Sequence, residues 1–137
     1  MNRSIFGLLV FGVVTACQTY PIVQQQYAKS DKGVVAAARP LAARAGRIIL
    51  AKGGNAADAA VASAFALAVV EPSMSGLGGR LQAIIQQVDG KVSGIDATSQ
   101  TPLAYDTAVI KPQRYGYTTI GIPGVVAGLT KLLNDYG

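Results

Sequence analysis

The sequence predicts an α+β fold, and three features of the chain carry that prediction. Residues 56–70 form a long, alanine-rich apolar segment after a Gly-Gly-Asn turn, which is typical of a capped helix. Two segments, 81–88 and 92–96, flank an Asp-Gly pair and are typical of a β-hairpin. Proline stands at or near the start of two further predicted helices, 40–52 and 123–136. Helices and strands therefore follow one another in mixed order.

The domain is expected to cover residues 33–137. It opens on a short apolar run, 33–38, that we predict to be a strand. Pro40 fits the first turn of the following helix, because a missing N–H costs nothing at that position. Gly53-Gly54 is expected to end this helix, since glycine tolerates the left-handed conformation that is common at helix ends.

The alanine-rich helix is the most informative element of the sequence. Asn55 is its expected N-cap, and the Asp58 carboxylate lies near the positive end of the helix dipole. The helix has no polar face, and a helix of this kind is normally buried on every side. Because the chain offers few other elements to cover it, we expect this polypeptide to be a fragment or to need a partner chain. Glu71-Pro72 ends the helix.

A glycine-rich loop at 73–79 leads directly into Arg80. The loop fits neither phosphate-loop template, and it follows a helix where a phosphate loop would follow a strand. Either its glycines allow a tight turn, or its backbone amides and Arg80 line a small anion site. Asp89-Gly90 then predicts a type I′ turn between the two hairpin strands, and 117–122 reads as a further strand.

The composition excludes several classes of protein. The chain has 137 residues, half of them apolar, with 12 basic residues, 7 acidic residues, one cysteine and no histidine. This apolar content excludes a disordered chain, and the single cysteine excludes a disulfide scaffold. Ser-His-Asp and Cys-His catalysis and histidine metal sites are excluded within this chain. The basic residues are scattered and lack interleaved aromatics, so no nucleic-acid partner is expected.

Residues 1–16 are typical of a secretory signal peptide. After a short cationic start, residues 5–14 are apolar and uncharged. A ten-residue helix is about 15 Å long, half of the ~30 Å hydrocarbon core of a bilayer. The segment therefore suits the apolar region of a signal peptide and is too short to span a membrane.

Cys17 is the expected site of lipid attachment. It follows Val-Thr-Ala at 14–16, which resembles the bacterial lipobox, and an ordinary signal peptide with an unrelated cysteine is the alternative. Acyl chains on Cys17 would tether the mature chain to a membrane, with the polar residues 17–32 as a lipidated linker. Gln18 after the cysteine favours the outer membrane of a Gram-negative cell. The expected location is thus the cell envelope, as an outer-membrane or periplasm-facing lipoprotein.

Four motifs in the domain point to one protein family. Lys-Gly-Gly-Asn-Ala-x-Asp-Ala-Ala-Val-Ala occupies 52–62, and Val-Glu-Pro follows at 70–72 before the glycine-rich loop. Ile95-Asp96 and Pro102 keep the spacing of an Asp-x-Arg-Glu-x-x-Pro segment, and 123–128 reads Pro-Gly-x-x-x-Gly. Together these motifs resemble the start of the large subunit of the γ-glutamyltransferase family, also called glutathione hydrolases.

The resemblance implies a four-layer αββα sandwich of the N-terminal-nucleophile hydrolase type, of which this chain is an incomplete N-terminal fragment. In such enzymes self-cleavage exposes the N-terminal Thr of the small subunit, which attacks the γ-glutamyl amide of a substrate such as glutathione. Its own α-amine serves as the base, so the reaction needs neither histidine nor a cofactor. The implied partners are a small γ-glutamyl substrate and the missing C-terminal part or small subunit.

The resemblance also implies that this chain holds no catalytic residue. Thr118-Thr119 is similar to the Thr-Thr start of the family's small subunit, but Ile120 follows where the family has His. The pair also precedes the segment 123–128, which belongs within the large subunit. The nucleophile is therefore expected outside these 137 residues, and the chain alone is expected to be inactive.

Two departures from the family pattern define the candidate substrate-binding residues. Thr98 stands where the family's Arg grips the substrate α-carboxylate, and Ser99 stands where the family has Glu. A neutral hydroxyl cannot replace a bidentate, charge-assisted pair. Arg80 replaces a family glycine. We hypothesise that its guanidinium supplies the missing positive charge from a neighbouring wall of the substrate site. The alternative is that Arg80 is a surface residue and that glutamyl specificity is lost.

Two other functions remain open at this stage. One is a non-catalytic lipoprotein that reuses the fold as a binding or structural module. The other is a membrane-anchored anion-binding protein centred on residues 76–80. The DNA beyond codon 137 discriminates between the readings, because an in-frame continuation with a Thr-Thr-His-like segment favours the enzyme.

Overall fold

The computed structural model describes residues 27–106, 108–111 and 113–137. The predicted signal peptide, the lipid-attachment residue Cys17 and most of the predicted linker lie outside these described residues. In chain order the elements are α1 (Pro40–Ala51), α2 (Ala56–Val70), α3 (Pro72–Ser75), β1 (Leu81–Gln86), β2 (Val92–Ala97), a 3-10 turn (Tyr117–Thr119) and α4 (Val125–Tyr136). The prediction of an α+β chain is confirmed.

The helices α1 and α2 pack closely along a seam of small residues. Pro40 lies in the first turn of α1, and Gly53, with a φ of 92°, takes the left-handed conformation just beyond its end. In the middle of α1, a Cβ on Gly46 would be 2.9 Å from the Ala59 carbonyl oxygen and would also meet the Ser63 hydroxyl. Glycine at position 46 therefore permits this short separation between the helices.

The strands β1 and β2 form an antiparallel hairpin whose register runs from Leu81 opposite Ala97 to Gln86 opposite Val92. The predicted type I′ turn is wrong, because that turn requires positive φ at both central residues. Only Gly90 has it, with a φ of 85°, so the connection is a longer loop ending in a left-handed glycine. The hydrogen bond from the Gln87 amide to the Lys91 carbonyl, 2.8 Å, closes this loop.

The core lies where α2, the hairpin and α4 meet. Its buried residues come from all three elements, namely Val61, Ile95, Leu129 and Leu132. Alternate residues of β1 point towards this core, whereas Ile84 on the opposite face is 84% exposed. The alternation is that of a strand covered on one side only.

Three predicted elements are wrong, and each error has a physical reason. Residues 33–38 run beside α1 and α2 without forming a strand, because no described segment offers them backbone hydrogen bonds. Residues 117–122 begin with the 3-10 turn, and only Ile122 forms a β-bridge, to Gln100. The predicted loop 73–79 begins within the short helix α3, which Pro72 starts.

The helix α2 is only partly covered by the described residues, although the sequence predicts burial on every side. The helix α1 covers it at Ala59 and Ser63, and the hairpin and α4 cover it at Val61. Phe65, however, is 40% exposed and Val69 is 79% exposed, so the helix is not buried on every side by the described residues. The described residues also contribute one two-stranded sheet, so they do not by themselves form the αββα sandwich. None of the described helices has the length and apolar character that a membrane crossing requires.

Candidate functional site

Arg80 and Thr98 lie at the open end of the hairpin. Leu81 pairs with Ala97 in the last register position, so the residues that flank this pair are Arg80 and Thr98. The residue that departs from glycine and the residue that departs from arginine therefore lie at the same end of the hairpin, although they are 18 positions apart in sequence.

The start of α4 rests on the same end of the hairpin. The amides of Gly124 and Val125 donate to the carbonyl oxygen of Gly79, at 3.2 and 3.3 Å. A Cβ on Gly124 would be 2.6 Å from the carbonyl carbon of Ala97, so only glycine fits this approach. The Pro-Gly segment thus holds the end of the hairpin, and with it the candidate site, against α4.

Thr98 is engaged by a neighbouring carboxylate. The Asp96 side chain accepts hydrogen bonds from the Thr98 amide, at 3.1 Å, and from the Thr98 hydroxyl. The Thr98 hydroxyl is the main cause of a lowered Asp96 pKa, because a hydrogen bond to the charged carboxylate stabilises that form. The Thr98 hydroxyl is therefore occupied by the Asp96 carboxylate, and it brings no positive charge to the site.

Arg80, Thr98 and Ser99 line three different cavities around the hairpin end. Arg80 borders a cavity of about 360 Å³ together with residues of α2, α3 and α4. Thr98 borders one of about 260 Å³ beneath α4, and Ser99 borders one of about 300 Å³ beside the 3-10 turn. The structure thus brings the three candidate residues to one region but does not gather them in a single cavity.

Arg80 is exposed and has no ion-pair partner within the described part of the chain. The two ion pairs found there join Arg39 to Glu71, at 3.2 Å, and Lys131 to Asp135, at 2.7 Å. The loop before Arg80 is closed by a hydrogen bond from the Gly79 amide to the Gly76 carbonyl, at 3.1 Å. This amide is therefore used within the turn, whereas the Arg80 guanidinium is available for an anion.

Lys131 is a residue at the site that sequence reasoning missed. It borders the same cavity as Asp96 and Thr98, and its ammonium pairs with Asp135. The hydrogen bond and charge of Asp135 raise the Lys131 pKa. The i,i+4 spacing of Lys131 and Asp135 is readable in the sequence, but their position beneath the hairpin depends on how α4 packs.

Asn55 is the N-cap of α2, as predicted, and it has a second structural role that the sequence does not reveal. Its side-chain oxygen accepts from the amides of Ala57 and Asp58, and the Asp58 carboxylate accepts from the Asn55 amide in return. Its side-chain nitrogen donates to the Tyr136 carbonyl, at 2.7 Å. One residue therefore joins the start of α2 to the end of α4.

The described residues contain no cluster of three or more Cys, Asp or Glu side chains that could hold a metal ion. The candidate site offers the guanidinium of Arg80, hydroxyl groups and apolar walls, beside the Asp96 carboxylate and the paired ammonium of Lys131. Such a site can orient a carboxylate-bearing ligand.

Comparison with known sequences identifies the family. The sequence model described as Gamma-glutamyltranspeptidase matches residues 42–137. The chain belongs to the gamma-glutamyltranspeptidase family. This assignment confirms the family resemblance that the motifs at 52–62 and 123–128 indicate.

Curated relatives of this gamma-glutamyltranspeptidase family chain are enzymes of several kinds. A glutathione hydrolase proenzyme of Pseudomonas sp. (strain A14) is 32% identical over 148 residues, covering 100% of this chain and 26% of the relative. The capsule biosynthesis protein CapD proenzyme of Bacillus anthracis is 40% identical over 109 residues, covering 78% and 19%. The acylase ACY 1 proenzyme of Pseudomonas sp. (strain SE83) is 46% identical over 79 residues, covering 58% and 14%. The chain therefore spans about a quarter or less of these relatives.

Solved structures agree with this assignment. The gamma-glutamyltranspeptidase of Helicobacter pylori superposes with a TM-score of 0.73 at 34% identity, covering 82% of this chain and 35% of that chain. The gamma-glutamyltranspeptidase from Pseudomonas nitroreducens, solved in complex with L-DON, gives a TM-score of 0.69 at 35% identity, covering 80% and 35%. The arrangement of helices and hairpin described above is thus shared with this family.

Proposed function

We propose that this chain forms the N-terminal part of an exported enzyme that cleaves γ-glutamyl amides such as glutathione. The observation that carries the proposal is the family match over residues 42–137, with relatives named glutathione hydrolases. For the whole enzyme we propose the αββα sandwich and an N-terminal Thr nucleophile, contributed by polypeptide outside these 137 residues. Thr118-Thr119 is not expected to fill that role, because Ile120 follows where the family has His and the pair precedes the segment 123–128 that belongs within the large subunit.

We infer that Arg80 provides the positive charge for a substrate carboxylate. The hairpin supports this role, because Arg80 lies at the same end of it as Thr98. Thr98 is the position that the family resemblance assigns to the carboxylate-binding Arg. The free, exposed guanidinium can offer two parallel N–H donors to a carboxylate. Thr98 and Ser99 then contribute hydroxyl groups to the adjoining walls, and Asp96 holds Thr98 in place.

The role of Arg80 is tested by kinetics on the complete enzyme that contains these residues, with a γ-glutamyl anilide as substrate. Arg80→Ala is expected to raise KM by roughly 10-fold or more, since a charge-assisted hydrogen bond is lost. The double variant Arg80→Gly with Thr98→Arg moves the cation across the hairpin and is expected to lower KM again. Arg114→Ala, which removes an exposed cation elsewhere, serves as the matched control. An unchanged KM in Arg80→Ala removes Arg80 from the site.

The enzyme proposal is tested separately by sequence and by turnover. An in-frame continuation beyond codon 137 that contains a Thr-Thr-His-like segment supports it. The purified 137-residue chain is expected to release no aniline from the γ-glutamyl anilide, whereas the complete enzyme is expected to release it. A stop codon after Gly137, or turnover by the short chain, contradicts the proposal, and a stop codon favours a non-catalytic lipoprotein module.

We also propose that the mature chain is anchored in the cell envelope through a lipid on Cys17, with residues 17–32 as a spacer. The sequence pattern at 14–17 supports the anchor. Labelled palmitate is expected to be incorporated into the wild-type chain, and the wild-type chain is expected to be recovered in the membrane fraction. Cys17→Ser is expected to abolish both, and label incorporation that survives this substitution contradicts the anchor.

A further inference from the structure

The positive charge of the chain is concentrated in one segment, although the chain has no run of basic residues. Residues 27–57 carry six basic residues and one acidic residue, a net charge of +5. Residues 58–137 carry five basic and six acidic residues, a net charge of −1. Because Asp31 is the acidic residue of the first segment, residues 32–57 are purely cationic. Such an asymmetry indicates a negatively charged partner for this part of the molecule.

The helix α1 presents part of this charge to the outside. Gly46 is buried against α2, whereas Arg44 and Arg47 are exposed. Residues two positions apart in an α-helix point about 200° apart, so Arg44 points away from α2. Lys52, just beyond the end of α1, is exposed as well. Within the described part of the chain these three cations have no ion-pair partner, and all three remain available to an external anion.

Apolar side chains lie among these cations. Leu41 is 59% exposed and Ile48 is 39% exposed. Leu41, Arg44 and Ile48 are spaced by three and four positions, so they share one side of the helix. Together with Arg47 and Lys52 they form what we call the basic face of α1. A helix surface that mixes basic and apolar side chains is typical of a helix lying at a membrane surface.

The chain reaches this face soon after the proposed lipid-attachment residue. Tyr27 is ten positions beyond Cys17, and ten extended residues span at most about 35 Å. The peptide 28–30 borders the same cleft as Arg44 and Arg47, so Lys29 belongs to a segment that runs beside both arginines. A lipid on Cys17 would therefore keep these cations close to the membrane that holds it.

The charge distribution favours a lipid surface over further polypeptide as the partner of the basic face. A protein that buried these cations would have to supply carboxylates to pair with them, because an unpaired buried charge is unfavourable. The headgroup layer of a bilayer supplies phosphates and water to the cations and an apolar layer to Leu41 and Ile48. Each basic residue near an anionic bilayer strengthens binding by roughly fivefold.

We propose that the basic face of α1 binds anionic phospholipid headgroups of the membrane to which the chain is anchored. The inference rests on the proposed envelope location, and it adds a second contact that fixes the orientation of the domain, with α1 towards the bilayer. The acyl chains hold the protein at the membrane, and the cations set which side of it faces the lipid.

The test measures co-sedimentation of the lipid-free protein, from residue 18 to the end of its reading frame, with phospholipid vesicles. Binding is expected to be at least about tenfold tighter to vesicles that contain phosphatidylglycerol than to phosphatidylcholine alone, and added salt is expected to weaken it. Arg44→Gln with Arg47→Gln is expected to weaken binding at least about tenfold. The matched control, Lys111→Gln with Arg114→Gln, removes two exposed cations elsewhere and is expected to change it little.

A second variant separates charge from folding. Lys29→Gln lies outside every described helix and is expected to weaken binding several-fold without a change in helix content by circular dichroism. Its effect is thus independent of any disturbance of α1.

Equal affinity for the two kinds of vesicle overturns the inference, because apolar surface alone would then drive binding. An unchanged affinity in the Arg44/Arg47 variant, an equal loss in the control variant, or no binding at all overturns it too. Retention on peptidoglycan without vesicle binding would assign the basic face to a different polyanion and likewise overturns it. Turnover of a γ-glutamyl anilide by the same protein tests the amide-cleaving function separately, and palmitate labelling tests the anchor.

Discussion

At the scale of single residues, Asn55 shows how a family motif can serve the fold and not the chemistry. Its amide group satisfies two amides at the start of α2 and one carbonyl at the end of α4. These backbone groups have no partner within their own helices, and leaving them without one is unfavourable. The Gly-Gly-Asn motif therefore fixes the position of α4 relative to α2.

Replacing Asn55 is expected to destabilise the chain. Asn55→Ala removes an N-cap, which is worth about 1–2 kcal/mol, and a hydrogen bond worth about 1 kcal/mol. Urea denaturation followed by circular dichroism measures the change in the free energy of unfolding. Asn134→Ala, at an exposed position on α4, is the control and is expected to change it little. Similar stabilities of the two variants would contradict the role of Asn55 in joining α2 to α4.

Asp96 and Thr98 allow a prediction about pH. The hydrogen bond from the Thr98 hydroxyl lowers the Asp96 pKa in the folded chain below its ordinary value of 3.8. Because the folded-state pKa is depressed, this contribution to stability is present above the unfolded pKa and is lost as the pH falls through the folded pKa. Thr98→Val is expected to raise the Asp96 pKa towards its ordinary value, as measured by NMR titration of the carboxyl carbon. Ser99→Ala is expected to leave it unchanged.

At the scale of elements, the sequence predicts local structure well where the signal is local. The bounds of α2 agree with the prediction because Asn55, Asp58 and Pro72 act within one turn of its ends. Residues 33–38 and 117–122 were predicted as strands from composition, but a strand also needs a neighbour to pair with. That requirement is non-local. Within the described chain the segment 33–38 has no such neighbour, and the segment 117–122 pairs at Ile122 alone.

In the candidate site, too, the sequence predicts the residues but not the contacts between distant segments that position them. Arg80 and Thr98 are visible in the sequence as departures from a pattern, but their position at the same end of the hairpin depends on the strand register. The register in turn depends on the loop between the strands, where an Asp-Gly pair is compatible with more than one geometry. Their separation into different cavities depends on α4, whose packing the sequence does not reveal.

The packing of α4 against the hairpin gives a prediction with an internal control. Leu129 is 2% exposed, whereas Leu133 on the same helix is 43% exposed. Leu129→Ala is expected to lower the free energy of unfolding by about 2–5 kcal/mol, because it leaves a cavity between α4 and the hairpin. Leu133→Ala is expected to lower it by less than half as much. Equal decreases in the free energy of unfolding, measured by urea denaturation, would show that α4 does not pack against the hairpin through Leu129.

At the scale of the whole molecule, the described residues build a thin core under a large apolar surface. The buried hydrophobic residues are Ala42, Ala59, Val61, Ile95, Leu129 and Leu132, and no large side chain in the described chain is completely enclosed. Phe65 and Val69 on α2 and Ile84 on the hairpin remain exposed. Exposed apolar patches of this kind mark surfaces that other protein normally covers.

This imbalance predicts the behaviour of the polypeptide 18–137 in isolation. Since so little apolar area is buried, the free energy available for folding is small, and we expect a broad, weakly cooperative thermal transition by circular dichroism. An apolar dye is expected to bind the exposed face of α2. Val69→Ser is expected to reduce dye fluorescence while leaving the helix content unchanged, because Val69 contributes to that face and not to the core. A sharp melt of a monomer that binds no dye would mean that this chain covers its own alanine-rich helix.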